Sequence, residues 1–132
     1  MCAETNNTKG VSRILVGEDD KFLSNIYKTK LTKIGFQVDH ALNGEEALKM
    51  ARENKPDLIL LDLIMPVKDG FETLKELKAD SSLKDVQVII LSNLSQEEDR
   101  QRVLNLGAVE YVVKADVSFS EIVKLVKKYL AK

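Results

Sequence analysis

Cysteine is all but absent: Cys2 is the single one in 132 residues. An intramolecular disulfide is therefore excluded, and the chain is long enough to stand on a hydrophobic core without one. Zinc has no ligand set either, because the lone histidine, His40, has no partner of its kind and reads as an ordinary strand or surface residue. No apolar run approaches the ~20 residues a bilayer demands. Met1 to Gly10 lacks the hydrophobic segment of a signal peptide. An excess of either charge is missing too: 20 basic residues face 21 acidic ones, a net charge of −1, which argues against a nucleic-acid or membrane surface. The expectation is a soluble cytoplasmic domain with no nucleic-acid and no membrane partner.

What the sequence does have is Leu58-Ile59-Leu60-Leu61-Asp62, four large aliphatic residues ending in a carboxylate. An uninterrupted run of this kind predicts a strand buried on both faces, since a solvated face would show as alternation. Asp is seldom buried without a partner, so Asp62 either reaches solvent at the strand's carboxyl end or faces a cation there. Ile14-Leu15-Val16 repeats the pattern and finishes on Glu18-Asp19-Asp20.

Between and beyond these strands the pattern alternates. Phe22, Leu23, Ile26, Tyr27, Leu31 and Ile34 recur at helical spacing until Gly35, a favoured helix-ending residue. A mixed strand over 36–41 precedes Asn43-Gly44-Glu45-Glu46, an N-cap signal for a helix to about Glu53. Asp69-Gly70-Phe71-Glu72 opens a third helix. Val86 to Leu91 is a strand closed by Ser92, and Ser95-Gln96-Glu97-Glu98 reads as a capping box for a fourth helix. Glu110 to Val113 is a fifth strand ending at Lys114, and Ser118-Phe119-Ser120-Glu121 opens the last helix. Five strand-then-helix units with buried strands imply an α/β, doubly wound fold: a five-stranded parallel sheet with helices on both faces. The size suits the flavodoxin-like order 2-1-3-4-5, whose ligands bind beyond the carboxyl ends of strands 1 and 3.

Neighbouring strands lie about 4.8 Å apart, so Glu18, Asp19 and Asp62 converge on one pocket. Two like charges at about 4 Å repel by about 4 kcal/mol at an effective dielectric of about 20, so the trio demands a counter-charge. Mg2+ is the best match, because it accepts one or two carboxylates and keeps its other positions for water or phosphoryl oxygens. Lys114 can cross two strand spacings to pair with Asp62, and Ser92 offers a hydroxyl between them. For any one of these residues helix capping or plain solvation is an adequate reading; their joint placement at four strand ends points to chemistry.

Ile14-Leu15-Val16-Gly17-Glu18-Asp19-Asp20, Leu61-Asp62-Leu63-Ile64-Met65-Pro66 with Asp69-Gly70, Ile89-Ile90-Leu91-Ser92, and Gly107-Ala108 with Tyr111-Val112-Val113-Lys114 resemble the receiver domains of two-component response regulators. The resemblance implies that residues 12–132 form one receiver, behind a disordered lead-in at residues 1–11. It implies Asp62 as phosphoacceptor, Glu18 and Asp19 with Asp62 as Mg2+ ligands, and the main-chain carbonyl of Ile64 as a further ligand. Ser92 and Tyr111 match the switch residues and Lys114 the lysine of the site. Tyr111 is expected to enter space that Ser92 vacates. A sensor histidine kinase or phosphotransfer protein would donate the phosphoryl group, and a downstream protein of unknown identity would read the surface of the fourth helix, fifth strand and last helix.

Several positions depart from the family. Ala115 stands where receivers carry a cis proline; a cis bond without proline costs about 2.5 to 4 kcal/mol, so Lys114-Ala115 is predicted trans, in a reshaped loop. Asn93 is larger than the residue usual beside the switch hydroxyl and is expected to narrow phosphodonor entry. Ile64 and Leu94 flank the path of hydrolytic water and cannot orient it, which predicts a long-lived phosphoryl-aspartate. The last helix carries Ile122, Leu125, Val126 and Tyr129 at core spacing, with Val123 and Leu130 widening the stripe. It reads as a core helix with a generous stripe or, more sharply, as a homodimer or partner surface.

The leading expectation is a stand-alone phosphoacceptor switch rather than an enzyme, at most weakly active on its own phosphoryl group. Two alternatives stand beside it. One is a receiver-like binding module that takes no phosphate. The other is an aspartyl-nucleophile phosphatase, which Ile64 disfavours because a second Asp belongs there. Nucleotide enzymes are disfavoured because neither Gly-x-Gly-x-x-Gly nor a P-loop follows the first strand.

Overall fold

Buried β-branched and aliphatic runs become strands here because a parallel sheet covered on both faces offers them nothing but apolar neighbours. The computed structural model describes residues 11–131, so Cys2 and all of the expected lead-in but Val11 lie outside the described residues. The elements run β1 (Arg13–Gly17), α1 (Lys21–Ile34), β2 (Gln37–Ala41), α2 (Gly44–Glu53), β3 (Leu58–Leu61), α3 (Gly70–Ala79), β4 (Gln87–Ser92), α4 (Glu97–Asn105), β5 (Glu110–Val113) and α5 (Phe119–Leu130). All pairings are parallel and the strand order is β2-β1-β3-β4-β5, the order expected from the alternation.

Strand alternation divides the core in two. Leu58 and Leu60 point with Ile14, Val16, Ile89 and Leu91 to the side covered by α1 and α5, where Tyr27, Leu31, Ile122 and Val126 meet them. Ile59 and Leu61 point the other way, to Leu48 of α2, Leu74 of α3 and Val103 of α4. The stripe on α5 belongs to this packing: Ile122, Val126 and Tyr129 are buried, and Val123, Leu125 and Leu130 lie half-buried against the same cluster. Among the described residues no helix is long and apolar enough to cross a membrane.

Helix starts follow their local chemistry with one exception. Asn43 caps α2 by accepting from the Glu46 N–H, and Asp69 caps α3 by accepting from the Glu72 N–H. Ser118 and Glu121 close a full capping box on α5. The box expected at Ser95 is absent. α4 begins only at Glu97, with Gln96 at the cap and no side-chain hydrogen bond. Two residues before the cap, Leu94 is tied at both main-chain ends, its N–H to Ser92 and its carbonyl to Tyr111, and the helix begins past this anchored residue. Glu97, Glu98 and Asp99 in the first turn offset the exposed N–H groups through the helix dipole instead.

Candidate functional site

β1 and β3 are neighbours, with Gly17 opposite Leu61 at their carboxyl ends. The ladder runs one residue past both: the Asp62 N–H donates to the Gly17 carbonyl at 2.9 Å, and the Glu18 N–H to the Ala41 carbonyl at 3.0 Å. The main chains of the two acids are thus pinned by the sheet. Behind Asp62, the Gly70 N–H donates to the Leu63 carbonyl at 2.9 Å. A Cβ at Gly70 would strike the Asp62 carbonyl oxygen and lie 2.6 Å from the Leu63 Cα, so only glycine lets α3 start this close to the acid.

Carboxylate oxygens of Glu18, Asp19 and Asp62 come within 4.8 Å of one another. Glu18 and Asp62 are buried, at 3% and 7% exposure, while Asp19 faces solvent. Lys114 follows β5 in a short 3-10 turn, Lys114–Asp116. Its Nζ donates to Asp62 Oδ2 at 3.0 Å and also to Glu18 Oε1. The pairing with Asp62 is the one the sequence predicts; the second grip, on Glu18, is not visible there. The Lys114-Ala115 bond is trans, since the described residues contain no cis peptide bond.

These contacts set the protonation of the group. Burial pushes the Glu18 carboxyl above its ordinary value, against the hydrogen bonds from Lys114 and from the Asp20 main chain that favour the anion. Burial works to lower Lys114, but its hydrogen bonds to Glu18 and Asp62 outweigh that and hold the ammonium above its ordinary value. Three carboxylates against one ammonium leave an all-oxygen donor set with uncompensated negative charge. That set fits a hard divalent cation such as Mg2+.

Ser92 is fully buried at the end of β4, its hydroxyl accepting from the Leu94 N–H at 3.3 Å. The Tyr111 ring is buried, at 6% exposure, because alternation along β5 turns it toward the cluster under α2, α3 and α4. Its hydroxyl donates to the Leu94 carbonyl, and burial raises the phenol above its ordinary value. Among the described residues neither Ser92 nor Tyr111 hydrogen-bonds Asp62; both meet at Leu94. The Ile64 N–H donates to Asp62 Oδ1 at 3.3 Å, while its side chain is 59% exposed.

The model of the family described as the response regulator receiver domain matches residues 14–127. This chain is a response regulator receiver domain. Receivers act as phosphoacceptor switches in two-component systems, and Mg2+ binding is typical of them. The receiver is 42% identical over 102 residues to a probable transcriptional regulator, ycf27, of Porphyridium aerugineum, covering 77% of this chain and 41% of that protein. It is 42% identical over 118 residues to the transcriptional regulatory protein PrrA of Mycobacterium tuberculosis, covering 89% of this chain and 49% of that one. Among solved structures, the signal receiver domain of a signal transduction histidine kinase from Syntrophus aciditrophicus superposes with a TM-score of 0.83 at 32% identity, covering 92% of this chain and 91% of that one.

The receiver spans two-fifths to one-half of the curated relatives it matches. Both are named as regulators of transcription, a function exercised at nucleic acid, which corrects the expectation that nucleic acid is not a partner. The near-neutral net charge behind that expectation describes these 132 residues alone and does not bear on what a longer regulator contacts.

Three residues near the site escape a reading by strand ends. Asp20, third of the acid run, caps α1 by accepting from the Phe22 and Leu23 N–H groups. Tyr27, a core residue by spacing, lies close enough that the charges of Lys114, Glu18 and Asp62 act on its phenol, which burial raises. Lys68, in the loop after Asp62, pairs with Glu45 at 3.2 Å and with Glu76. A loop lysine flanked by Val67 and Asp69 carries no signal of that in sequence.

Proposed function

We propose that Asp62 accepts a phosphoryl group from a sensor histidine kinase in a Mg2+-dependent reaction, and that the surface of α4, β5 and α5 carries the change to a partner. One juxtaposition carries the reading: a carboxylate at the end of the sheet with an ammonium 3.0 Å away and two more acids within 4.8 Å. An Asp62 oxygen attacks phosphorus, the bond from phosphorus to the donor imidazole nitrogen breaks, and its electron pair leaves with the imidazole. Glu18, Asp19, Asp62 and the Ile64 carbonyl would hold the ion, which supplies neutralisation of the phosphoryl charge.

Lys114, which donates to Asp62, would hold a phosphoryl oxygen. The new group brings roughly −1.5 to −2 charges and strong acceptors. Ser92 turns its hydroxyl toward them and gives up the Leu94 N–H. Leu94 then loses one of its two tethers, and α4, which starts three residues on at Glu97, shifts with it. Ile64 and Leu94 present no polar side chain to attacking water, so the phosphoryl group is long-lived.

The test is intact-mass measurement of the full chain after incubation with a small acyl phosphate and Mg2+. The wild type gains one phosphoryl group and Asp62→Asn gains none. A wild type that stays unmodified with Mg2+ bound sinks the proposal in favour of a phosphate-independent binding module; donor turnover without an adduct favours a phosphatase. Rapid loss of the label, unchanged by Ile64→Asn, removes the claim about lifetime.

A further inference from the structure

Val67 sits where a valine is not expected. Its φ is 68°, and among the described residues it is the only non-glycine with positive φ. Two heavy atoms on Cβ make this region costly, and its side chain, 79% exposed, gains no packing in return. The Lys68 N–H donates to the Pro66 carbonyl at 2.7 Å, closing a γ-turn around Val67 of the rarer, strained hand. Such a conformation persists only where the surroundings over-determine it.

Lys68 supplies that determination. Its carbonyl accepts from the Gly44 N–H at 3.1 Å, the first residue of α2. Its ammonium reaches Glu45 of α2 at 3.2 Å and Glu76 of α3. One loop residue is therefore held by two helices, by main chain and side chain together. The fit is close: a Cβ at Gly44 would strike the Lys68 carbonyl and the Thr73 hydroxyl. That hydroxyl in turn donates to the Asp69 carbonyl at 2.7 Å, where α3 begins. The other end of the loop is Asp62 itself, whose Oδ1 accepts from the Ile64 N–H at 3.3 Å.

We propose that Lys68 is a positioning residue for the Asp62 site: its clamp on Glu45 and Glu76 holds the strained turn at Val67, and the turn sets where the Ile64 main chain lies beside the carboxylate. The inference rests on the reading of this site as a Mg2+ site. It goes beyond that reading in giving the affinity of the site a source outside its ligands. Among the described residues Lys68 makes no hydrogen bond or ion pair to Asp62 or the other acids of the cluster; it acts through the loop.

The experiment uses the full chain as wild type, Lys68→Met, Val67→Gly and the double variant, each shown folded by circular dichroism at the working temperature. Two quantities are read: Mg2+ affinity by titration calorimetry, and hydrogen exchange of the Gly70 amide in metal-free protein. Lys68→Met is expected to weaken Mg2+ binding about tenfold, the scale of lost outer-shell support, and to speed exchange at Gly70. Val67→Gly alone leaves both near wild type. In the double variant the turn no longer has strain to release, so affinity and protection recover. Wild-type affinity and protection in Lys68→Met would overturn the proposal and leave Lys68 a plain ion pair. Equal losses in the single and double variants would overturn it too, since the strained turn would then play no part. A wild type that binds no Mg2+ refutes the reading of the site instead, and Gly70 exchange still decides whether the clamp holds the loop.

Discussion

Lys114 stands in for a metal ion: one ammonium grips two buried carboxylates that would otherwise repel each other. Their side chains are 5% and 9% exposed, so little water screens them. Removing one member of such a set leaves uncompensated buried charge, and Lys114→Gln is expected to cost about 3 kcal/mol in metal-free protein. Mg2+ should then raise the thermal midpoint of Lys114→Gln by more than it raises that of the wild type, because the ion meets carboxylates with no competing ammonium. Thermal unfolding of both proteins with and without Mg2+ reads this, and equal gains would show that the lysine and the ion do not share a role. Asp62, Glu18 and Asp19 were legible as a cluster because each ends or follows a buried strand, and parallel strands must bring their ends together. The grip of Lys114 on Glu18 was not, because it depends on how a flexible four-carbon stem settles between two acids rather than on any spacing.

At the level of single helices, the capping box on α5 offers a titration that leaves the site untouched. Glu121 is held below its ordinary value near 4.5, first by the Ser118 main-chain N–H and then by the Ser118 hydroxyl. Its native form binds fewer protons than its unfolded form, so its contribution is complete above the ordinary value. It is lost as pH falls through the depressed native one. The gap in thermal midpoint between wild type and Glu121→Gln should stay constant at neutral and mildly acidic pH and narrow below about 4.5. A gap that is flat through that range would mean the carboxylate charge adds nothing. Ser118-x-x-Glu121 was readable because a cap is written in four consecutive residues. Ser95-x-x-Glu98 carries the same signal and forms no box: α4 starts later, at Glu97, past Leu94, whose carbonyl is bound by the Tyr111 hydroxyl from β5. Local signals hold where no distant contact redirects the chain beside them.

Across the whole molecule, the alternation of buried strands and amphipathic helices was enough to name the sheet order, since right-handed crossovers leave few other arrangements. Departures from that legibility gather around the loop after Asp62. The positive φ at Val67 and the clamp of Lys68 on two helices carry no periodicity and no motif. Asn93, next to Ser92 in sequence, is exposed.

The grip of Lys114 also bears on how the chain folds. It joins residues separated by 96 positions, to Glu18, and by 52, to Asp62. A chain growing from its amino terminus makes both acids long before it makes the lysine, so the half-built sheet holds a repulsion that Lys114, just past β5, later relieves. Contacts this distant in sequence slow folding, and a divalent ion could do the work of the late strand. Refolding from denaturant should therefore quicken in Mg2+, seen as a rise of the folding limb of the chevron. A change confined to the unfolding limb would place ion capture after the rate-limiting step. In the cell, the pool of divalent ions would then act on the nascent receiver as a folding aid before it serves any signal.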